Sequence, residues 1–434
     1  MLNRRSLAAI LLTLMSLLAA LSGTGDGPPM WWAGITAWLA AIMLWPQLTD
    51  AQRRLALLLA GIGLVAAVAT LIRGGRLAWM GLLTQNTALL GMLVAVSFLQ
   101  LLGRSEGASE ELPKGKLALW RTAVGVHLLG AVINLSALFI MADRIGSNGK
   151  PRIEQIALLS RAYLAAALWS PFFAATAVAL TYAPGANPLG LMAAGVTLAA
   201  VLICLAGYDI IRSSPDHADN FVGYPMHLDA LAIPGVLAVL VGLGHWIFPG
   251  WAMLSIVSFA SLLVVVFAMM CRQGPWQASR SMIEQATARL PNMSGELVLF
   301  LAAGCFASGL SSLIGTGGIW MPFTQFGVVE AAIVLASMIL LAAVGVHAVI
   351  SITMAATWLA PLHPQPTLLA LVFVQSWAIG LAAGPTSGTN ITIQGKYGIP
   401  AMTMARGNIR YCLQAYGAAV IWLGIISLCL RVFA

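Results

Sequence analysis

Apolar residues along this chain come in runs of about twenty, separated by short polar loops. Uninterrupted runs lie at about 6–22, 31–46, 55–72, 79–103, 162–184, 187–210, 229–248, 251–271, 297–314, 326–345 and 408–430. A helix that crosses a bilayer needs roughly 20 such residues. Three further apolar stretches, 117–146, 346–361 and 366–398, are interrupted by Gly, Pro, Asn, Ser and Thr. The pattern predicts an all-α polytopic membrane protein, with about eleven transmembrane helices plus re-entrant hairpins in the interrupted stretches.

Composition excludes a soluble enzyme. Of 434 residues, 60% are hydrophobic and only 8% charged, against roughly 25% charged in soluble domains. The net charge of +8 comes from 22 Lys+Arg against 14 Asp+Glu. Much of it sits in short loops between apolar runs, as the positive-inside rule expects, so it predicts no nucleic acid partner. Cys204, Cys271, Cys305, Cys412 and Cys429 are scattered and show no ligand spacing. The opening Met1-Leu-Asn-Arg-Arg-Ser and the apolar run to Leu21 resemble a signal peptide. No small-residue cleavage site follows, so the run reads as a first membrane helix that is kept.

Arg4 and Arg5 predict a cytoplasmic N-terminus. Alternation then places Arg53, Arg54, the 104–121 loop, Arg212 and the 272–296 loop inside, with Arg73 and Arg76 outside against the rule. Segment 122–142 has basic residues at both ends, from Arg104 to Arg121 and from Arg144 to Arg152. Gly130, Asn134 and Ser136 near its middle suit a hairpin with a polar tip, and a plain helix with tolerated polar residues suits it equally. Segment 272–296, with Arg280, Glu284 and Arg289 among Met282, Ile283 and Leu290, suits an amphipathic surface helix or a linker.

Transporters are often built from inverted repeats. Residues 137–146 can be laid on 389–398, each preceded by a Ser (Ser136, Ser387) and each ending basic-x-Gly. The expected organisation is N-terminal helices over 1–50, a first repeat over 51–212, connecting segments over 213–295 and a second repeat over 296–434.

Polar groups inside apolar runs are the candidates for chemistry. Gly384, Pro385 and Gly388 would unwind the chain beside Thr386, Ser387, Thr389 and Asn390. Such a break can ligate a cation with oxygens and aim helix N–H groups at an anion; a capped extramembrane turn is the plainer alternative. Asn134 and Ser136 form the matching pair in the first interrupted stretch. Thr84-Gln-Asn-Thr87 suits helix–helix hydrogen bonding, and Ser308 to Gly318 suits close packing. His127 and His347 suit bonding to a neighbouring helix, Asp143 local pairing beside Arg144, and Glu330 a place near the headgroups. No carboxylate falls securely in mid-span, which favours a coupling cation held by neutral oxygens over a carboxylate proton relay. No Walker A, haem or HExxH motif occurs.

The segments 117–184 and 326–430 resemble the ion transporter superfamily, most nearly its divalent-anion/sodium symporter branch. That resemblance implies two inverted repeats, each with a re-entrant hairpin whose Ser-Asn-Thr tip binds sodium and a substrate carboxylate. Ser387-Gly388-Thr389 matches the second tip with its Asn displaced to Asn390, and Asn134-Leu135-Ser136 matches the first without the Thr. It implies substrate contacts at Asn134, Ser136, Thr386, Ser387, Thr389 and Asn390, with Ser136, Ser387 and Thr389 as sodium ligands. Arg144 and Lys396 would mark hairpin ends.

The expected function is secondary active transport of a small organic or inorganic anion, coupled to sodium rather than to protons. The chain would be a multi-pass protein of a bacterial inner membrane, possessing no catalytic residues or cofactor beyond sodium, with the lipid bilayer and a second copy in a homodimer as partners. Two rival classes remain open. One is a membrane subunit or scaffold of a larger complex; the other is an intramembrane enzyme on a lipid-linked substrate, drawing on Asp216, His217, Asp219 and His227.

Overall fold

The computed structural model describes residues 3–103, 111–146, 150–213, 215–225, 232–317 and 322–432. In chain order the helices are α1 (Arg4–Ser22), α2 (Met30–Leu44), α3 (Asp50–Ile72), α4 (Trp79–Thr84), α5 (Thr87–Ser97), α6 (Lys116–Ile133), α7 (Leu135–Ile145), α8 (Ile153–Ala165), α9 (Ala174–Tyr182) and α10 (Pro188–Ser213). There follow α11 (Pro215–Asp219), α12 (Ala232–Ile247), α13 (Met253–Arg289), α14 (Ser294–Ile314), α15 (Val328–Ala343), α16 (Ala348–Leu359), α17 (Pro366–Ala383), α18 (Gly388–Tyr397), α19 (Ala401–Gly407) and α20 (Ile409–Val432). Eight helical stretches among the described residues are long and apolar enough to cross a membrane, with shorter apolar helices besides. The chain is an all-α, multi-pass integral membrane protein.

The chain forms two compact units, each built from two separated segments: 1–104 with 236–322, and 105–235 with 323–434. The boundaries expected from the sequence cut across both units.

In the first unit α1 is an integral element. Ala8, Leu12, Met15 and Ala19 make a buried stripe at helical spacing, and Ser16 donates to the Gly91 carbonyl at 2.6 Å. The opposite face exposes Leu7, Ile10, Leu14 and Leu17, as suits a lipid solvent. The expected span 79–103 is broken at Gln85–Asn86 into α4 and α5. Asn86 is buried and donates to the Phe300 carbonyl at 2.8 Å, a bond between helices. Within α13 the helix is broken by a kink at Gly274 (φ +77°, ψ 164°), and a second helix runs from Pro275 to Arg289, within the segment 272–296 expected as an amphipathic helix or linker. Beyond the kink Trp276 and Ile283 are exposed, and Arg280 pairs with Glu284 at 2.9 Å.

α3 and α14 pack together through glycine. A methyl group built on Gly309 would overlap the carbonyl oxygen of Gly63, and one on Gly63 would overlap the Cys305 backbone. In lipid, where apolar surface gains little from burial, such close backbone contact supplies much of the helix association.

The second unit repeats one order of elements. Helix pair α6–α7 precedes the interrupted helix α8–α9 and the long α10; helix pair α15–α16 precedes the interrupted helix α17–α18 and the long α20. The first helix of each pair packs on the interrupted helix that follows it, α6 on α8 and α15 on α17. α17 is enclosed almost throughout, whereas Leu413, Ile421 and Leu428 of α20 are exposed. By this order of elements, with α19 added before α20, 117–146 corresponds to 328–359 and 153–182 to 366–398, a different pairing from the sequence alignment of 117–146 with 366–398. The pieces paired by sequence touch each other. Lys396 of α18 reaches Asp143 of α7 at 2.5 Å, and the Tyr397 hydroxyl donates to the same carboxylate at 2.8 Å. Asp143, expected to pair beside Arg144, thus ties α7 to α18.

Gly309→Ala should lower the thermal stability of the purified protein by about 1–3 kcal/mol, the usual cost of overpacking. Gly61→Ala is the control, because a methyl group there meets nothing within 4 Å and alanine favours helix. Equal effects from the two would show that α3 and α14 are not in backbone contact.

Candidate functional site

The second unit brings each helix-pair turn against an interrupted helix. The more open junction, with Val344 and Thr386 exposed, joins Val344–His347, between α15 and α16, to Gly384–Ser387, between α17 and α18. α15 ends because Gly345 takes φ +103°, a left-handed conformation that glycine adopts without a Cβ penalty. The Val346 N–H then bonds Leu341 O at 2.8 Å and the Gly345 N–H bonds Ala342 O at 3.0 Å, a Schellman stop. His347 restarts the chain as the N-cap of α16, its Nδ1 accepting from Val349 N–H at 3.2 Å.

α17 stops differently: Gly384 turns extended (φ −82°, ψ 118°), and Pro385, which has no N–H, follows it. Ser387 caps α18 by accepting from Asn390 N–H at 3.3 Å. The freed Gly384 carbonyl accepts from Ser387 N–H at 3.1 Å and from Asn390 Nδ2 at 2.9 Å. Thr386 then donates to the Gly345 carbonyl at 3.1 Å, which fastens the break to the turn. A methyl group on Gly384 would crowd the Ala342 carbonyl, so this approach requires glycine.

Between turn and break lies a cavity of about 30 Å³, lined among others by His347, Ala348, Gly384, Thr386, Ser387 and Gly388. That is close to the ~30 Å³ share of one liquid water. The N-terminal ends of α16 and α18 and the C-terminal ends of α15 and α17 all border it. Helix N-termini favour anions and C-termini favour cations.

The other junction joins Asn134, between α6 and α7, to Trp169–Phe173, between α8 and α9. Asn134 has φ +53° and ψ −142°, a region that costs a residue with a Cβ about 1–3 kcal/mol. Its Nδ2 donates to the Phe172 carbonyl at 3.3 Å, and the Ser170 hydroxyl donates to the Ala131 carbonyl. Trp169 Nε1 donates to His127 Nε2 at 3.0 Å, so that nitrogen is the acceptor and Nδ1 carries the proton towards the Ala162 carbonyl at 3.0 Å. His127 is committed to neighbouring backbone and indole.

The six residues singled out by sequence divide between the two junctions. Thr386 and Ser387 line the small cavity; Thr389 and Asn390 are buried just behind it on α18. Asn134 and Ser136 lie at the other turn, Asn134 bonded to the break and Ser136 half-buried on α7. The boundary expected between 345 and 346 falls at the Val344–His347 turn, though without a role for Gly345 or His347 in it; sequence reasoning missed the break at Trp169-Ser-Pro-Phe. Pro171 inside a long apolar run was the available signal. It also missed a buried carboxylate. Asp209, near the C-terminal end of α10 rather than in mid-span, forms an ion pair with Arg161 of α8 at 2.8 Å, both inside the fold. Of the enzyme candidates, Asp219 pairs with Lys116 at 2.9 Å. The His217 side chain and His227 lie outside the described residues.

No family model matches the chain, and no curated protein matches it. Among solved structures, the chain is similar to the one titled "Crystal structure of the Alcanivorax borkumensis YdaH transporter reveals an unusual topology". The identity is 15% and the TM-score 0.47, over 98% of each chain.

Asn134→Ala keeps the strained backbone and loses the bond to Phe172, so it should destabilise the purified protein by about 1–3 kcal/mol in thermal unfolding. Asn134→Gly relieves the strain and should cost less. The reverse order would mean that the turn is not held at positive φ.

Proposed function

We propose that this chain is a secondary active transporter of a small organic or inorganic anion, coupled to sodium in preference to protons. The observation that carries the reading is the junction of Val344–His347 with Gly384–Ser387. Four helix ends of opposite polarity border one small cavity whose oxygens come from neutral groups. The cavity has room for one sodium ion, favoured by the C-termini of α15 and α17 and the neutral oxygens, while an anion would approach from outside it towards the N-termini of α16 and α18. Discontinuous helices meeting at a polar point are the means by which transporters expose one site alternately to either side.

In this reading α6–α7 and α15–α16 are re-entrant hairpins related by inverted repetition. The crossed contacts support it: α7 meets α18, and α16 meets α9, so the second arm of each pair touches the other repeat's interrupted helix. Thr386, Ser387 and the carbonyls around Gly384 are the first sodium ligands to test, with Thr389 and Asn390 behind them and Asn134 and Ser136 at the opposite junction. A dicarboxylate is the first substrate to test.

Sodium chloride should raise the unfolding temperature of the purified protein above that in equimolar choline chloride. The gain reaches ~2.7 kcal/mol when sodium exceeds its Kd a hundredfold. Thr386→Val, which removes the hydroxyl and keeps the shape, should weaken sodium binding roughly 5- to 150-fold. In vesicles, succinate uptake should follow an imposed sodium gradient. No sodium stabilisation, together with uptake that vanishes when the proton gradient is collapsed, would overturn the coupling.

A further inference from the structure

We propose that the second unit holds another ligand site, beside the Arg161–Asp209 ion pair, for a small zwitterion carrying an ammonium and a carboxylate. The site is a cavity of about 250 Å³ bordered by α8, α10 and the α19–α20 joint, and it shares no lining residue with the cavity at Thr386.

Arg161 is fixed from several sides. NH1 donates to Asp209 Oδ2 at 2.8 Å, Nε to Asn408 Oδ1 at 2.8 Å and NH2 to the Gly407 carbonyl at 3.0 Å. The Tyr411 ring lies 5.0 Å from its guanidinium carbon. A guanidinium held this way is structure, not a mobile binding group.

Asp209 is only half satisfied. Its side chain is 7% exposed, and Oδ1 has no hydrogen-bond partner among the described residues. Besides Arg161, the Arg410 Nε stands 3.5 Å from Oδ1, beyond the ~2.7–3.2 Å of an N–H···O bond. The Arg410 side chain is 50% exposed. One carboxylate oxygen therefore lacks a donor, and one guanidinium at the cavity is held by charge alone.

A zwitterion resolves both with no change in net charge. Its ammonium donates to Asp209 Oδ1, and Arg410 turns to take its carboxylate in a forked pair. A simple anion would draw Arg410 away and leave Oδ1 bare; a simple cation would be repelled by Arg410. The volume lies just below the ~300–1,000 Å³ of sites that hold drug-sized molecules, which suits a ligand of amino-acid size. Ile153, Ala157 and Met404 supply an apolar wall for its carbon chain.

Binding to the purified full chain tests this without reference to transport. Glycine, β-alanine, 4-aminobutyrate and 6-aminohexanoate form a ladder of charge separations, with acetate and methylammonium as single-charge controls. One rung should bind by calorimetry, and raise the unfolding temperature, where neither control does. Arg410→Gln, at a half-exposed position that tolerates change, should weaken that rung roughly tenfold or more. Thr386→Val should leave it unchanged. Binding of no amino acid above the controls, or equal binding by Arg410→Gln, would overturn the proposal.

Discussion

In hydrocarbon every backbone N–H and C=O must find its partner inside the protein. The second unit depends on that constraint, because its helices are interrupted at Asn134, Trp169–Phe173, Val344–His347 and Gly384–Ser387. Each interruption frees groups that its own helix cannot satisfy. The chain pairs turn with break: Thr386 takes the Gly345 carbonyl, Asn134 takes that of Phe172, and Ser170 takes that of Ala131. Asn390 and Ser387 close the Gly384 carbonyl. A turn without its facing break would leave carbonyls bare at several kcal/mol apiece, so turn and break are stable only together.

The same pairing concentrates polarity at the junctions. The surrounding helices present alanine, leucine and valine, and α17 is enclosed nearly end to end. Against that background the junctions gather hydroxyls, amides, histidine and helix termini into small volumes. The tie from Asp143 to Lys396 and Tyr397 joins the two repeated groups of helices within the unit. On the proposed reading these ties hold the site's geometry while larger movements alternate its access. The buried Arg161–Asp209 pair does related work. Asn408, which accepts from Arg161, also donates to the Ala382 carbonyl at 3.0 Å, in the last turn of α17 before its break.

The all-helical membrane character was plain in the sequence, because twenty-residue apolar runs with 8% charged residues have no other comfortable solvent. The break at Gly384–Ser387 was also plain, since Gly-Pro-Thr-Ser-Gly breaks the helical pattern and caps a restart. Asn134 was half legible: a lone amide in an apolar run fits a turn or a helix contact equally. The boundary at 345/346 was legible, but Trp169-Ser-Pro-Phe was hidden, because a break of a few residues disappears within a twenty-residue average of hydropathy. With that break unseen, the two polar segments at 134–146 and 384–398 were matched to each other. Asp209 escaped notice because it sits near the end of a long apolar helix, where a carboxylate ordinarily reaches water; its burial comes from Arg161, 48 residues away in sequence.

The central claim is that α6–α7 enters the membrane and returns on the same side, carrying Asn134 to meet the break at Trp169–Phe173. Lys116 and Lys150 flank that pair and are both exposed. In a background without the native cysteines, Lys116→Cys and Lys150→Cys should both react with a membrane-impermeant maleimide from the same face of oriented vesicles. Reaction from opposite faces would make 116–145 a single crossing and would contradict the paired-break architecture.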